Sequence, residues 1–97
     1  MDKRFFVYIM TSRPLGPLYV GVTSNLVARV FQHKQGEAPG FTRRYNIKQL
    51  VYFEIHDRAE TAIQREKRLK KWNRAWKVRL IEQTNANWRD LYMDICR

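Results

Sequence analysis

One cysteine, Cys96, stands beside the C-terminus, so the chain carries no internal disulfide and no thiolate cluster for a structural metal. Acidic residues are scarce: nine Asp and Glu face nineteen Lys and Arg, a net charge of +10. No apolar run reaches the roughly 18 residues that a membrane-spanning helix needs. The apolar opening FFVYIM is too short for a signal peptide and lacks a cleavage-type site, which sets the expectation of a cytoplasmic protein away from membranes. No Ser/Gly-rich linker, low-complexity tract or internal repeat divides the 97 residues. One domain over residues 1–97 is therefore expected, with room for one compact site and none for a separate specificity module.

What is present is a foldable and strongly basic chain. Hydrophobic residues make up 44% and aromatic residues 13%, well above the composition of disordered segments. The positive excess is spread out, with eight basic and two acidic residues in 1–48 and eleven and seven in 49–97. It is not a detachable tail. A polyanionic partner, nucleic acid first, is the physical reading of such a charge on so small a domain.

FFVYIM, residues 5–10, is continuously apolar and β-favouring, which suits a strand covered on both faces. TSRPLGP turns the chain, and LYVGV, 18–22, forms a second strand, antiparallel to the first across this short connection. Thr23 and Ser24 are N-cap candidates for a helix over about 25–35, with Leu26, Val27, Val30 and Phe31 as its apolar stripe and Gly36 as its end. Residues 36–46, GEAPGFTRRYN, read as a basic, aromatic loop, and QLVYFEIH as a third strand. Asp57 is expected to cap a long helical region from 58 to about 83 with a break near Asn73, and a short helix over Trp88–Ile95 closes the chain. The fold class is α+β, a small three-stranded antiparallel sheet flanked by helices.

Against that frame a set of chemically active side chains stands out. Tyr8 and Tyr19 lie one on each of the first two strands, and Gly21 admits close approach beside them. Arg29 and His33 sit i to i+4 on the flank of the first helix. In RAETAIQREKRLKKW, Ala59, Ala62, Ile63 and Leu69 point one way and Glu66 points with them. A carboxylate turned inward must be paired, protonated or bound to a cation. Arg65, Lys67, Arg68, Lys70 and Lys71 offer an ordinary salt bridge; one carboxylate with waters and a substrate phosphate equally suits Mg²⁺, with Mn²⁺ as a substitute. Taken singly, Tyr8 is a core aromatic, and Arg29 and His33 are surface groups. Together with a cation they form a site in which a phenol, lowered from its usual pKa of about 10, orients or deprotonates water.

VYI and YVG, followed by TSNLVARVFQH, resemble the paired tripeptides and helix of the GIY-YIG nuclease superfamily, which includes homing endonucleases, restriction enzymes and the incision nuclease of nucleotide excision repair. The likeness spans almost the whole chain and is strongest to small stand-alone bacterial members, through GFTRRYNIKQLVYFE, REKRLKKWNRAWKVRLIE and NANWRDLY. It implies that Tyr8 and Tyr19 are the motif tyrosines, Arg29 the motif arginine, His33 the helix histidine, Glu66 the metal-binding glutamate and Asn85 the motif asparagine. By the same resemblance Tyr8 helps activate the attacking water, Tyr19 and His33 position water or assist proton transfer, Arg29 braces the scissile phosphate, and Glu66 holds one Mg²⁺. The chain departs from the pattern twice: Val7 replaces the first glycine, and Ala86 replaces a proline after Asn85, which leaves a helix cap as the other reading of that asparagine.

Phe41, Arg43, Arg44 and Tyr45, with Lys70 and Lys71, are the candidate nucleic-acid contacts, cations for phosphates and rings for bases. Trp72 and Trp76, i to i+4, are expected to pack the helix onto the sheet. A metal-dependent DNA endonuclease acting on single-stranded, branched or damaged DNA is the leading expectation, with RNA open as a substrate. The alternative is a non-catalytic nucleic-acid-binding module on the same scaffold; a third reading is a subunit whose specificity comes from a protein partner.

Overall fold

The computed structural model describes residues 3–37 and 40–97. The elements are β1 (Phe5–Thr11), β2 (Leu18–Thr23), α1 (Leu26–Lys34), α2 (Phe41–Arg44), β3 (Gln49–His56), α3 (Ala59–Lys71), α4 (Arg74–Thr84) and α5 (Tyr92–Ile95). All three strands pair antiparallel in the order β2-β1-β3. The central place of β1 accounts for its unbroken apolar run: Val7, Tyr8, Ile9 and Met10 are all fully buried, since both sheet faces are covered.

Period-2 alternation sorts the strand side chains into two layers. On one side Val7, Ile9 and Val20 pack with Ala62 and Leu69 of α3, Ile81 of α4 and Trp88. On the other, Tyr8, Met10 and Leu50 pack with Leu26 and Val30 of α1 and with Ile47, and α5 closes that side through Tyr92 and Ile95. A register shift between Ile9 and Met10, opposite Tyr52 and Leu50, lets β1 keep both pairings while β3 bends.

Several local details differ from the sequence expectations, each for a definable reason. Asn25, not Thr23 or Ser24, caps α1, its Oδ1 accepting from the Ala28 amide at 3.2 Å, while the Thr23 hydroxyl accepts from the Asn25 amide at 3.1 Å. The buried stripe of α1 is Leu26, Val30 and His33; Val27 and Phe31 are 37% and 48% exposed. Ile63 likewise faces solvent, leaving Ala62 and Leu69 as the buried contacts of α3. Arg58 rather than Asp57 holds the N-cap position of α3, with no side-chain bond there. Asn73 does break the long helix, because its Oδ1 caps α4 on the Trp76 amide at 2.9 Å. The basic loop contains the four-residue α2; positions 38 and 39 of that stretch lie outside the described residues.

The last helix is shorter than expected. Trp88 has a left-handed φ of 57° and is buried before α5 starts, its indole N–H donating to Glu82 at 2.8 Å. Asp90 clamps this segment to the sheet, accepting from the Leu50 amide at 3.1 Å and pairing with Lys34 at 2.6 Å. Among the described residues no helix is long and apolar enough to cross a membrane.

Candidate active site

Tyr8 pairs across the sheet with Gly21, and the absence of a side chain there makes room for its ring. A Cβ built on Gly21 would lie 2.5 Å from both Cζ and Oη of Tyr8. The ring is thus directed over β2 toward α1, where Tyr8 Oη meets His33 Nε2 at 3.2 Å. Tyr19 completes the cluster, its ring centre 6.2 Å from that of Tyr8 and 5.4 Å from that of His33. Arg29, one turn before His33 on α1, is exposed and close enough for its charge to act on both Tyr8 and His33.

Burial divides this cluster into an inner and an outer half. Tyr8 is fully buried and His33 is 4% exposed, whereas Tyr19 is half-buried and Arg29 open to solvent. Burial raises the Tyr8 phenol far above its usual pKa, with Tyr19 adding to the rise and Arg29 opposing it. Burial, and next the charge of Arg29, lower His33 below the ordinary imidazole value. At neutral pH both are uncharged, and His33 Nδ1 is buried with no hydrogen-bond partner among the described residues. At Tyr8 itself desolvation outweighs the arginine, so this phenol is raised. The residues of the cluster that meet solvent are Tyr19 and Arg29.

Comparison with known proteins agrees with the motif. Residues 4–79 match the family model described as the GIY-YIG catalytic domain. The chain belongs to the GIY-YIG family. It is 32% identical to the UPF0213 protein SSP2268 of Staphylococcus saprophyticus over 86% of its length and 99% of that protein. To the UPF0213 protein HQ_3675A of Haloquadratum walsbyi it is 35% identical over 86% of its length and 92% of the relative. The solution NMR structure of the UPF0213 protein BH0048 from Bacillus halodurans superposes with a TM-score of 0.56 at 25% identity, covering 90% of this chain and 92% of that one. Membership in this nuclease family implies nucleic acid as the general class of substrate.

Within this GIY-YIG scaffold Glu66 and Asn85 belong to α3 and the end of α4, helices packed on the other layer of the sheet. Glu66 points inward as its periodicity suggested, with a side chain only 13% exposed, and pairs with Lys70 at 2.6 Å. Its helix packs on the Val7/Ile9/Val20 face, opposite the one that carries Tyr8. No hydrogen bond or ion pair among the described residues joins Glu66 to Tyr8, Tyr19, Arg29 or His33, and no three His, Cys, Asp or Glu side chains among the described residues could hold a metal together. Asn85 caps the end of α4 and ties it to the sheet. Its Nδ2 donates to the Val51 and Arg89 carbonyls at 3.1 and 2.8 Å, and its Oδ1 accepts from the Arg89 amide at 2.9 Å. With these bonds made and 7% exposure, Asn85 acts as a strut. Asn85→Ala strands these backbone groups, so a loss of about 1–3 kcal/mol in denaturant unfolding is expected.

Phe41, which opens α2, and Tyr45, which follows it, form an exposed aromatic pair with ring centres 4.7 Å apart, and Arg44 stands 5.7 Å from the Tyr45 ring. Arg43, Lys70 and Lys71 are exposed cations. One cluster escaped the sequence reading. On β3 and α3, Glu54 accepts from Tyr52 at 2.5 Å and from Arg65 at 3.2 and 3.1 Å on its two oxygens, and meets His56 at 2.6 Å. Burial would raise Glu54, but the hydrogen bonds from Tyr52 and His56 and the charge of Arg65 hold it below the usual carboxylate range, while burial and Glu54 push Tyr52 up to about 12. Polar residues at 52, 54 and 56 on one strand face were the available signal. Every partner is satisfied within the network, which braces β3 against α3.

Proposed function

We propose that the chain is a divalent-metal-dependent DNA endonuclease with structure-selective or weakly sequence-selective action. The observation that carries this reading is the grouping of two phenols, an imidazole and an exposed guanidinium around Gly21 in a GIY-YIG domain. Nothing in packing alone requires a cation beside that cluster. Arg29 is the group that neutralises a phosphate at the cluster and the charge that builds on it during hydrolysis. Tyr19, half-buried at the cluster, orients the attacking water, and His33, held neutral, is an uncharged base that its proton reaches through the Tyr19 and Tyr8 hydroxyls. Tyr8 supports both from behind, through the hydrogen bond to His33 and the packing against Tyr19.

Glu66 is the residue that would hold Mg²⁺, or Mn²⁺ in its place. A single carboxylate, mostly buried but not sealed off, fits a cation that keeps most of its water and takes the rest of its ligands from substrate, and Lys70 is exposed enough to swing away. When bound, the ion supplies positive charge for the leaving oxygen. Since β2 is an edge strand and α3 packs against it, a phosphodiester gripped along that edge is what would bring the two layers to one substrate. Phe41, Arg43, Arg44 and Tyr45, with Lys70 and Lys71, supply the phosphate and base contacts of the proposed DNA grip.

The separate layer and the Glu66–Lys70 pair favour a second reading, a nucleic-acid-binding module without catalysis. Labelled single-stranded, duplex and branched DNA and a matching RNA, incubated with purified protein in Mg²⁺ and in excess chelator, separate the two. Cleavage of DNA that appears with Mg²⁺ and stops with chelator is expected. Salt-sensitive binding with every strand intact in Mg²⁺ and in Mn²⁺ would leave the binding module as the function.

A further inference from the structure

The α3–α4 junction carries a feature that the tyrosine cluster does not use. Trp72 follows the last turn of α3 and Trp76 lies in the first turn of α4, and their rings stand at 89° to one another with centres 5.8 Å apart. Trp72 is anchored, packed against the α3-side core and covered on one side by the Arg65 guanidinium, 5.2 Å from its ring centre. Trp76 is 50% exposed, a large expense of aromatic surface if packing were its only task. The pair lines an open hollow of about 340 Å³ whose remaining wall is Arg79, Leu80 and Gln83 from one stripe of α4.

The surroundings indicate the charge of what fits there. Residues 65–79 contain eight basic side chains and one acidic one, Glu66, which Lys70 already pairs. Among them Lys77 lies below its usual value, through burial first and the charge of Arg74 second. Such a rim repels basic and discourages neutral peptides, whereas a strand with one phosphate per base is drawn to it. A right-angled aromatic corner offers a flat ring a stacking face on Trp76 and an edge contact at Trp72, with the Gln83 amide able to bond the base edge and Arg79 the adjoining phosphate.

We propose that the Trp72/Trp76 corner is a second nucleic-acid site, which captures one unpaired base of single-stranded DNA on the layer opposite the tyrosine cluster. It rests on the nucleic-acid-binding part of the function proposed above and gives that substrate a preference for strands with an unstacked base.

The test uses full-length protein in Mg²⁺-free buffer, so that no strand is cut. Intrinsic tryptophan fluorescence and affinity are followed on titration with a short oligothymidylate and with an abasic strand of equal length and charge. The thymidylate should quench the fluorescence and bind about ten-fold more tightly than the abasic strand. Trp76→Ala should remove that difference and Trp76→Phe restore most of it, with thermal melting confirming that both variants fold. Equal affinity for the two strands, absence of quenching, or a Trp76→Ala protein that still discriminates as wild type does would overturn the site. Cleavage by the wild type in Mg²⁺ is read separately and decides only whether the protein is a nuclease.

Discussion

Replacing Arg29 with alanine is expected to lower Mg²⁺-dependent DNA cleavage by about 1000-fold, the scale on which a single positioned charge acts on a developing phosphate anion. Its side chain is exposed, so the melting temperature should hardly move. Glu66→Ala should be as damaging to cleavage but different in kind. Removing a carboxylate from a basic surface leaves DNA binding intact or stronger, so the loss falls on turnover and its metal dependence. Arg29→Ala weakens binding as well, because the guanidinium faces the phosphate in the ground state too. Initial rates across a Mg²⁺ titration, with affinities measured in chelator, distinguish the two. If Glu66→Ala cleaves with the metal response of the wild type, the carboxylate is a partner of Lys70 and no more.

The second large effect is expected at Gly21. A methyl group there would sit 2.5 Å from the Tyr8 Cζ and Oη atoms and 2.8 Å from Cε1. Tyr8 is fully buried, with Tyr19 and His33 as its neighbours, so the ring has no free direction in which to retreat. Overpacking of this kind costs about 1–3 kcal/mol, and in a domain of this size each kcal/mol lowers the melting point by roughly 4–8 °C. The displaced phenol also loses its bond to His33, so cleavage should fall along with stability. A Gly21→Ala protein with wild-type melting and wild-type turnover would mean that Tyr8 does not lie over this glycine. Val7→Gly, which restores the first motif glycine, acts on the opposite face and should touch stability alone.

How far the sequence disclosed this molecule depends on the kind of question. Strand β1 was legible because six consecutive apolar residues can be buried only between two covered faces, and the α3–α4 break because Asn73 offers a cap within a basic helical stretch. The packed face of α1 was misjudged: Val27 and Phe31 are apolar and exposed, while His33 is polar and buried. Apolar character marks which side chains tolerate burial, but the angle at which a helix lands on its sheet decides which are buried. Asn85 was legible as either catalyst or cap, and only the positions of Val51 and Arg89 resolved its bonding. The Glu54 network stayed hidden because its members, Tyr52, His56 and Arg65, come from two elements whose contact is tertiary.

By itself the sequence determined the order of the elements, the basic character of the surface, the family, and the alternation that sets Tyr8 against the neighbouring Val7 and Ile9. Only the tertiary structure decided which sheet face each helix took. Helical periodicity fixes the direction of Glu66 relative to the buried side of α3, yet carries no information about whether that side meets the tyrosines or the opposite layer. The choice belongs to the connections and to the two cores they close, one over Val7, Ile9 and Val20 and the other over Tyr8 and Met10. Desolvation in the second of these cores then raised Tyr8 and lowered His33 from their ordinary values, shifts that no residue carries until its neighbours have excluded water.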